Sequence, residues 1–351
     1  MSLFFCQYLK AQKITGSIVL NNDQLAVLPK EFYIAAVVDD RDDRNAVAWL
    51  LPFGTATATS AKYPVDLKGG TLAAIRQFID VAMPANKGLR PVVMHIKTFR
   101  LDETLLPTGY VEGKLKVSLS FDLQKPDQLI YLTDYNGSAD YNRRVNQDVD
   151  VKVVLRRALE YGLNNFNSWI NREAATNVKL AKGVKIYFTE YTERPEGDTI
   201  YYSPQRPLQW ADFMAKPMIS RFGASVLPGV GYNEDVTVDK GIVMVHLSMK
   251  VYLPKSACWV KADSRNGYSL NHEQRHFDIV KIISERFKQK LKAEKLTIDN
   301  YDGPISVQYL EILHEMNVMQ DQYDGETGHG MNTAIQQQWN ERIDKELGSF
   351  K

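Results

Sequence analysis

The spacing of apolar positions changes several times along the chain, and each change marks an element. Phe32-Tyr33-Ile34-Ala35-Ala36-Val37-Val38 is an unbroken apolar run ending at Asp39-Asp40, the shape of a buried strand. Leu72, Ile75, Phe78 and Ile79 fall at helical spacing within 72–81. Residues 91–101 and 111–123 read as strands. In the second of these, Val117, Leu119 and Phe121 alternate with Ser118, Ser120 and Asp122, which predicts one buried and one wet face. Val154, Leu155, Leu159, Leu163 and Phe166 form the apolar stripe of an amphipathic helix over 151–170. This β-α-β-β-α order predicts a small α+β domain ending near residue 175.

Residues 190–205 are polar and broken by Pro195, Gly197 and Pro204, so the domain boundary is expected there. The expected division is an α+β domain over 14–190 and a second domain over 205–351. The second half opens with Leu208-Gln209-Trp210-Ala211-Asp212-Phe213, and residues 242–253 read as strand. A helix is expected from about Asn271 to Leu291, its apolar face running through Val280, Ile283, Phe287 and Leu291. Another spans roughly 306–319. The last starts near Asn332, where Thr333 and Gln336 have capping-box spacing, and it buries Ile335, Trp339, Ile343 and Leu347. The whole chain is therefore expected to be α+β, without internal repeat or low-complexity tract.

Composition narrows the function. The 351 residues are 44% hydrophobic and 24% charged, ordinary for a globular chain and too long for one average domain. With 43 basic and 42 acidic residues the net charge is +1, which gives no reason to expect a nucleic-acid or anionic-membrane partner. Two cysteines, Cys6 and Cys258, cannot form a disulfide framework. The apolar run Leu3–Leu9, followed by Lys10-Ala11-Gln12-Lys13, reads as the tail of a secretory signal peptide cut near Ala11 or Gln12, or else as a buried first strand. It is too short to span a membrane, and no integral span is expected. On the signal-peptide reading Cys6 is removed, leaving Cys258 as a lone thiol.

One constellation carries chemistry. His272-Glu273-Gln274-Arg275-His276 matches H-E-x-x-H. Residues four apart lie one above the other on a helix, so both imidazoles can address one ion. Glu273 is rotated by about 100 degrees from His272, which suits a general base acting on a water at the metal rather than a ligand. With 6 histidines in the chain, the pattern arises by chance in on the order of one chain in a hundred or fewer. The plain alternative is two partly buried helix histidines.

A catalytic zinc site needs a third protein ligand. Ile279 and Ile282 stand where a metzincin has its glycine and third histidine, which excludes that family. Two candidates lie downstream. One is Tyr323-Asp324-Gly325-Glu326-Thr327-Gly328-His329-Gly330, read as a glycine-rich loop presenting His329, with Glu326 or Asp324 as alternative ligands or outer hydrogen-bond partners. The other is Glu311 or Glu315 on the preceding helix, completing a His2Glu site. Tyr323 is a candidate oxyanion donor, or one core tyrosine among 18. His95 and His246 lie in strand-like segments and read as structural, and Cys258 as a small buried hydrophobe. No phosphate loop or serine elbow stands out.

Four stretches, Trp210-Ala211-Asp212-Phe213, Cys258-Trp259-Val260, Leu270 to Ile279 around the two histidines, and Tyr323 to Gly330, together resemble a bacterial family of predicted secreted zinc-dependent proteases, domain of unknown function 922. The resemblance covers about residues 205–347. It implies a zincin-like α+β domain holding Zn2+ through His272, His276 and His329, with Glu273 as general base, a peptide or protein substrate, and a secreted or periplasmic location. It favours His329 over the glutamates of the preceding helix. The first half is similar, through Val37-Val38-Asp39-Asp40-Arg41 and its β-α-β order, to periplasmic lipoprotein-like domains of bacterial envelope transport systems. That likeness implies an envelope protein partner for the N-terminal domain. The rival expectation is a non-catalytic envelope protein whose metal site is structural or vestigial. A metallohydrolase acting on something other than peptides would share the same ligands.

Overall fold

Alternation and helical stripes become two α+β units in the computed structural model, which describes residues 16–20, 29–193 and 195–350. The segment Leu3–Leu9, with Cys6, lies outside the described residues. The units are Met1–Ala174 and Ala175–Lys351.

The first unit contains β1 (Phe32–Asp39), β2 (Ala48–Leu50), β3 (Tyr63–Val65), α1 (Thr71–Ala82), β4 (Arg90–Leu105), β5 (Tyr110–Gln124), β6 (Leu129–Arg144) and α2 (Val151–Glu173). Strands β4, β5 and β6 form a long antiparallel meander. On the other edge of β4, β1 pairs in parallel from Arg90 to Ile96 and β2 takes over at Leu101. The alternation in β5 buries Val117, Leu119 and Phe121 beneath α2, which contributes Leu155, Leu159, Leu163 and Phe166. The Phe166 ring stacks on Phe121 at 4.0 Å and meets the edge of Phe32 at 4.7 Å. Each such buried side chain contributes roughly 1.5–3 kcal/mol. A Cβ on Gly162 would stand 2.6 Å from Leu119 Cδ1, so the helix approaches the sheet only because that residue is glycine.

The second unit contains β7 (Gly183–Glu190), β8 (Thr199–Tyr201), β9 (Ala224–Ser225), β10 (Gly229–Asp239), β11 (Ile242–Pro254), β12 (Trp259–Val260), α3 (Gly267–Ala293), α4 (Asp302–Thr327) and α5 (Thr333–Ser349). Strand β11 is central. It pairs antiparallel with β10 along one edge, and on the other with parallel β7 and then antiparallel β8. Its buried Val243, Val245, Leu247, Met249, Val251 and Leu253 form one core with Ile279, Val280, Ile283 and Phe287 of α3. The expected boundary at 190–205 is thus corrected to residue 175, because β7 and β8 are strands of the second sheet.

Asn266 caps α3, its side chain accepting from Ser269 N at 2.9 Å. Helix α4 runs back along α3, as the pairs Arg286–Glu315, His276–Gln320 and His272–Tyr323 show. It is longer than expected and includes Tyr323, Asp324, Gly325, Glu326 and Thr327, the residues read as a loop. Gly328 ends it with φ +59, followed by His329 at +56 and Gly330 at +79. This left-handed corner turns the chain into α5, whose cap is Asn332, accepting from Ile335 N at 3.2 Å. Gln336 is therefore free of the capping role its spacing suggested. Among the described residues, no helix is long and apolar enough to cross a membrane.

Candidate metal centre

The start of α3 meets the end of α4, and three donor atoms converge there. His272 Nε2 and His276 Nε2 are 3.3 Å apart, and they lie 3.3 and 3.0 Å from Asp324 Oδ1. Among the described residues, His272, His276 and Asp324 form the group able to hold a metal ion. Donors about 2.0–2.1 Å from a tetrahedral zinc ion stand roughly 3.3 Å apart, so the observed separations fit. Asp324 Oδ1 is buried without a hydrogen-bond donor. A bare carboxylate oxygen facing two imidazole nitrogens is costly unless a cation joins them. The carbonyl end of α4 adds negative potential at the same place.

Protonation follows the same demand. Burial pushes the Asp324 carboxyl up, but the neighbouring imidazoles of His272, His276 and His329 outweigh it and hold it well below the usual carboxylate range. Burial pulls His276 down, while Asp324 and Glu273 raise it to a net increase. Both shifts favour positive charge where the three atoms meet.

The outer nitrogens of the histidines also have partners. Gln336 Oε1 lies 2.8 Å from His272 Nδ1, and Gln320 Oε1 lies 2.5 Å from His276 Nδ1. The sequence offered little to mark either residue: Gln336 sits in a run of three glutamines, and Gln320 is recognisable only as four residues before Asp324.

The donors open onto a cleft of about 230 Å³ that is also lined by Glu273, Phe222, Trp259 and Tyr268. Strands β9 and β12, paired through Ser225 and Trp259, supply one wall. Glu273 is 5% exposed, and its carboxylate accepts from the Val226 backbone N–H. Burial raises its pKa, with His276 and His272 opposing. The opposite corner is braced by Tyr268, whose hydroxyl donates to Gly330 O at 2.6 Å. A Cβ on Gly330 would lie 3.3 Å from the His272 ring, and with φ at +79 this close left-handed approach favours glycine.

Several of the expected site residues stand apart from the three converging donors. His329 lines the cleft, but Asp324 takes the place expected of it beside the two helix histidines. The His329 Nδ1 lies 3.1 Å from Asp324 Oδ2, and its ring packs on Phe222 at 3.9 Å between centroids. Tyr323 is wholly buried behind the donors. Its hydroxyl donates to His272 O at 3.2 Å and accepts from Gln336 Nε2 at 2.5 Å, so it does not face the cleft as an oxyanion donor. Burial raises its pKa beyond the usual phenol range. Glu326 turns outward to Gln322 and Trp339, and Glu315 pairs with Arg286 and Lys290. Glu311 is exposed on α4.

The remaining candidates lie elsewhere. His95 sits between Asp40 and Asp122 in the first unit, and His246 stacks on Tyr187. Cys258 is buried, its thiol donates to Pro254 O at 3.1 Å, and burial pushes its pKa up to about 11.

No family model matches the chain, and no curated protein matches it. Among solved structures, it is similar to protein XCC0632 from Xanthomonas campestris, of the family DUF330. The identity is 7% and the TM-score 0.26, over 45% of this chain and 96% of that one. So loose a superposition carries no argument about fold or function.

Proposed function

We propose that the chain is a zinc-dependent hydrolase of peptide bonds, with His272, His276 and Asp324 holding the ion and Glu273 acting as general base. The observation that carries this reading is the convergence of two imidazole nitrogens on a carboxylate oxygen with no donor of its own, at the base of a cleft that Glu273 also lines. Two imidazoles and one carboxylate are a donor set that catalytic zinc accepts. Bound there, zinc would acidify a water and polarise a substrate carbonyl. Glu273 would take the proton of that water and pass it to the leaving amine. Its burial, which raises its affinity for a proton, suits that exchange. The wall of β9 and β12 shapes the space in which a substrate segment would lie, and Phe222, Trp259 and Tyr268 give it aromatic sides.

The likeness of the two histidine-bearing blocks to predicted secreted zinc proteases supports a zinc hydrolase with Glu273 as base, while the third ligand it implied, His329, gives way here to Asp324. An exported, envelope location and a partner for the first unit belong to the proposal on that ground alone. The alternative, a structural metal site, calls for a closed set of four protein ligands. Three donors beside an open cleft favour catalysis instead.

Glu273→Gln tests the proposal. The variant should bind zinc as the parent does and hydrolyse a peptide library at least about 100-fold more slowly, and a chelator should abolish turnover by the parent. Unchanged turnover in Glu273→Gln would exclude Glu273 as the base.

A further inference from the structure

Each of the three donors is held from its outer side by one further side chain, and the hydrogen-bond directions can be worked out. Gln336 Nε2 donates to the Tyr323 hydroxyl and to Asn340 Oδ1 at 3.1 Å, while Gln320 Nε2 donates to His276 O at 2.9 Å. These bonds fix both amides, because a flipped amide would set oxygen against oxygen. Each Oε1 therefore faces an imidazole Nδ1, and in the neutral ring the proton must sit on Nδ1. Each Nε2 keeps its lone pair, aimed at Asp324 Oδ1. On the third donor, Asp324 Oδ2 can only accept, so His329 Nδ1 donates to it.

We infer that Gln336, Gln320 and His329 are the positioning residues of this centre, each presenting one donor, His272, His276 and Asp324 respectively, to a divalent cation. The inference rests on the metal-site reading above and extends it to residues that do not touch the ion. The left-handed backbone of His329 supports it. That conformation strains a residue with a Cβ, and it is kept where it brings the imidazole onto Asp324. The two glutamines carry a second consequence. Ligating histidines commonly lean on a carboxylate, which makes them more basic. A neutral amide leaves the charge of the cation less offset, so a carboxylate at the same position should tighten binding.

The test is zinc affinity of the full chain, measured by competition with a chromophoric chelator. Gln336→Leu and Gln320→Leu should each weaken binding by roughly 10–100-fold, and Gln336→Glu should bind at least as tightly as the parent. His329→Ala should weaken binding by about tenfold. His329→Asn, which keeps an N–H donor and tolerates the left-handed backbone, should recover most of that loss. Parent-like affinity in both leucine variants, or complete loss of zinc in His329→Ala, would overturn the inference. A second readout needs no metal. Imidazole nitrogen NMR shifts at alkaline pH should show Nδ1 protonated and Nε2 bare in His272 and His276, and the reverse tautomer would overturn it. A parent that takes up no divalent ion defeats the hydrolase reading, while the tautomers still decide this one.

Discussion

Two buried polar clusters, one in each unit, are completed in different ways. In the first unit both oxygens of Glu103 are fully supplied. Oε1 accepts from Arg143 Nε and the Tyr141 hydroxyl, and Oε2 accepts from Arg143 Nη2 and Leu51 N, all between 2.7 and 2.8 Å. That cluster balances its charge internally and fastens the chain at Leu51 to β4 and β6. In the second unit, His272, His276 and Asp324 turn acceptor atoms toward one another, and Asp324 Oδ1 has no donor. A saturated cluster serves the architecture, whereas one short of a positive charge is where the proposed cation would sit.

The largest effect that would separate the two is on stability. Arg143→Leu leaves a buried carboxylate uncompensated and should cost the first unit about 3–5 kcal/mol in denaturant unfolding, most of it recovered by adding Glu103→Leu. A loss below about 1 kcal/mol would mean that the first cluster is no more committed than a surface pair. In the second cluster the effect should be much smaller. Asp324→Asn keeps an oxygen to accept from His329 and removes a carboxylate whose Oδ1 lacks a donor, so the metal-free protein should lose less than about 1 kcal/mol. The same variant should lose the stabilisation by zinc, which in the parent should reach about 2.7 kcal/mol at free zinc 100 times the dissociation constant. Metal-free Asp324→Asn that unfolds as easily as Arg143→Leu would erase the contrast.

The smallest effect concerns ordinary ion pairs beside the core of α3. Burial pushes the Glu285 carboxyl up, but hydrogen bonds from Lys281 and Lys288 outweigh it and hold it below its usual value. Its contribution is therefore present above the unfolded pKa of about 4.3 and is lost as pH falls through the lower folded value. Glu285→Gln should flatten the acid limb of the unfolding curve by about 0.5 kcal/mol. An acid limb identical to the parent's would show that the pair contributes nothing.

The elements with one buried face were legible in the sequence. Leu119 and Phe121 in β5, and Ile283 and Phe287 in α3, announce their side by period alone. Strand β6 escaped because it is an edge strand with only Leu132 and Arg143 buried, and the half-buried positions of its alternation, Tyr135, Gly137, Ala139 and Tyr141, are not an aliphatic series. The boundary was misplaced because the partner of β7 is β11, more than fifty residues later, and such pairing leaves no local trace. At the site, the His272–His276 spacing was readable because a helix enforces it. The choice between Asp324 and His329 depended on whether α4 continues through Gly325. Glycines suggested a loop, yet only Gly328 and Gly330 take left-handed angles. With the helix extended, Asp324 points across to α3 and His329 falls in the turn behind it.

The pairing of β7 and β8 with β11 bears on how the second half can be produced alone. A polypeptide starting at residue 205 would retain the H-E-x-x-H helix and everything after it. It would also strip one edge of β11, exposing backbone groups along a strand whose Val243, Val245, Leu247 and Met249 are wholly buried. A long, apolar, uncovered edge recruits another copy of itself. Such a fragment should collect in inclusion bodies, whereas one starting at Ala175 carries its own edge cover and should stay in solution.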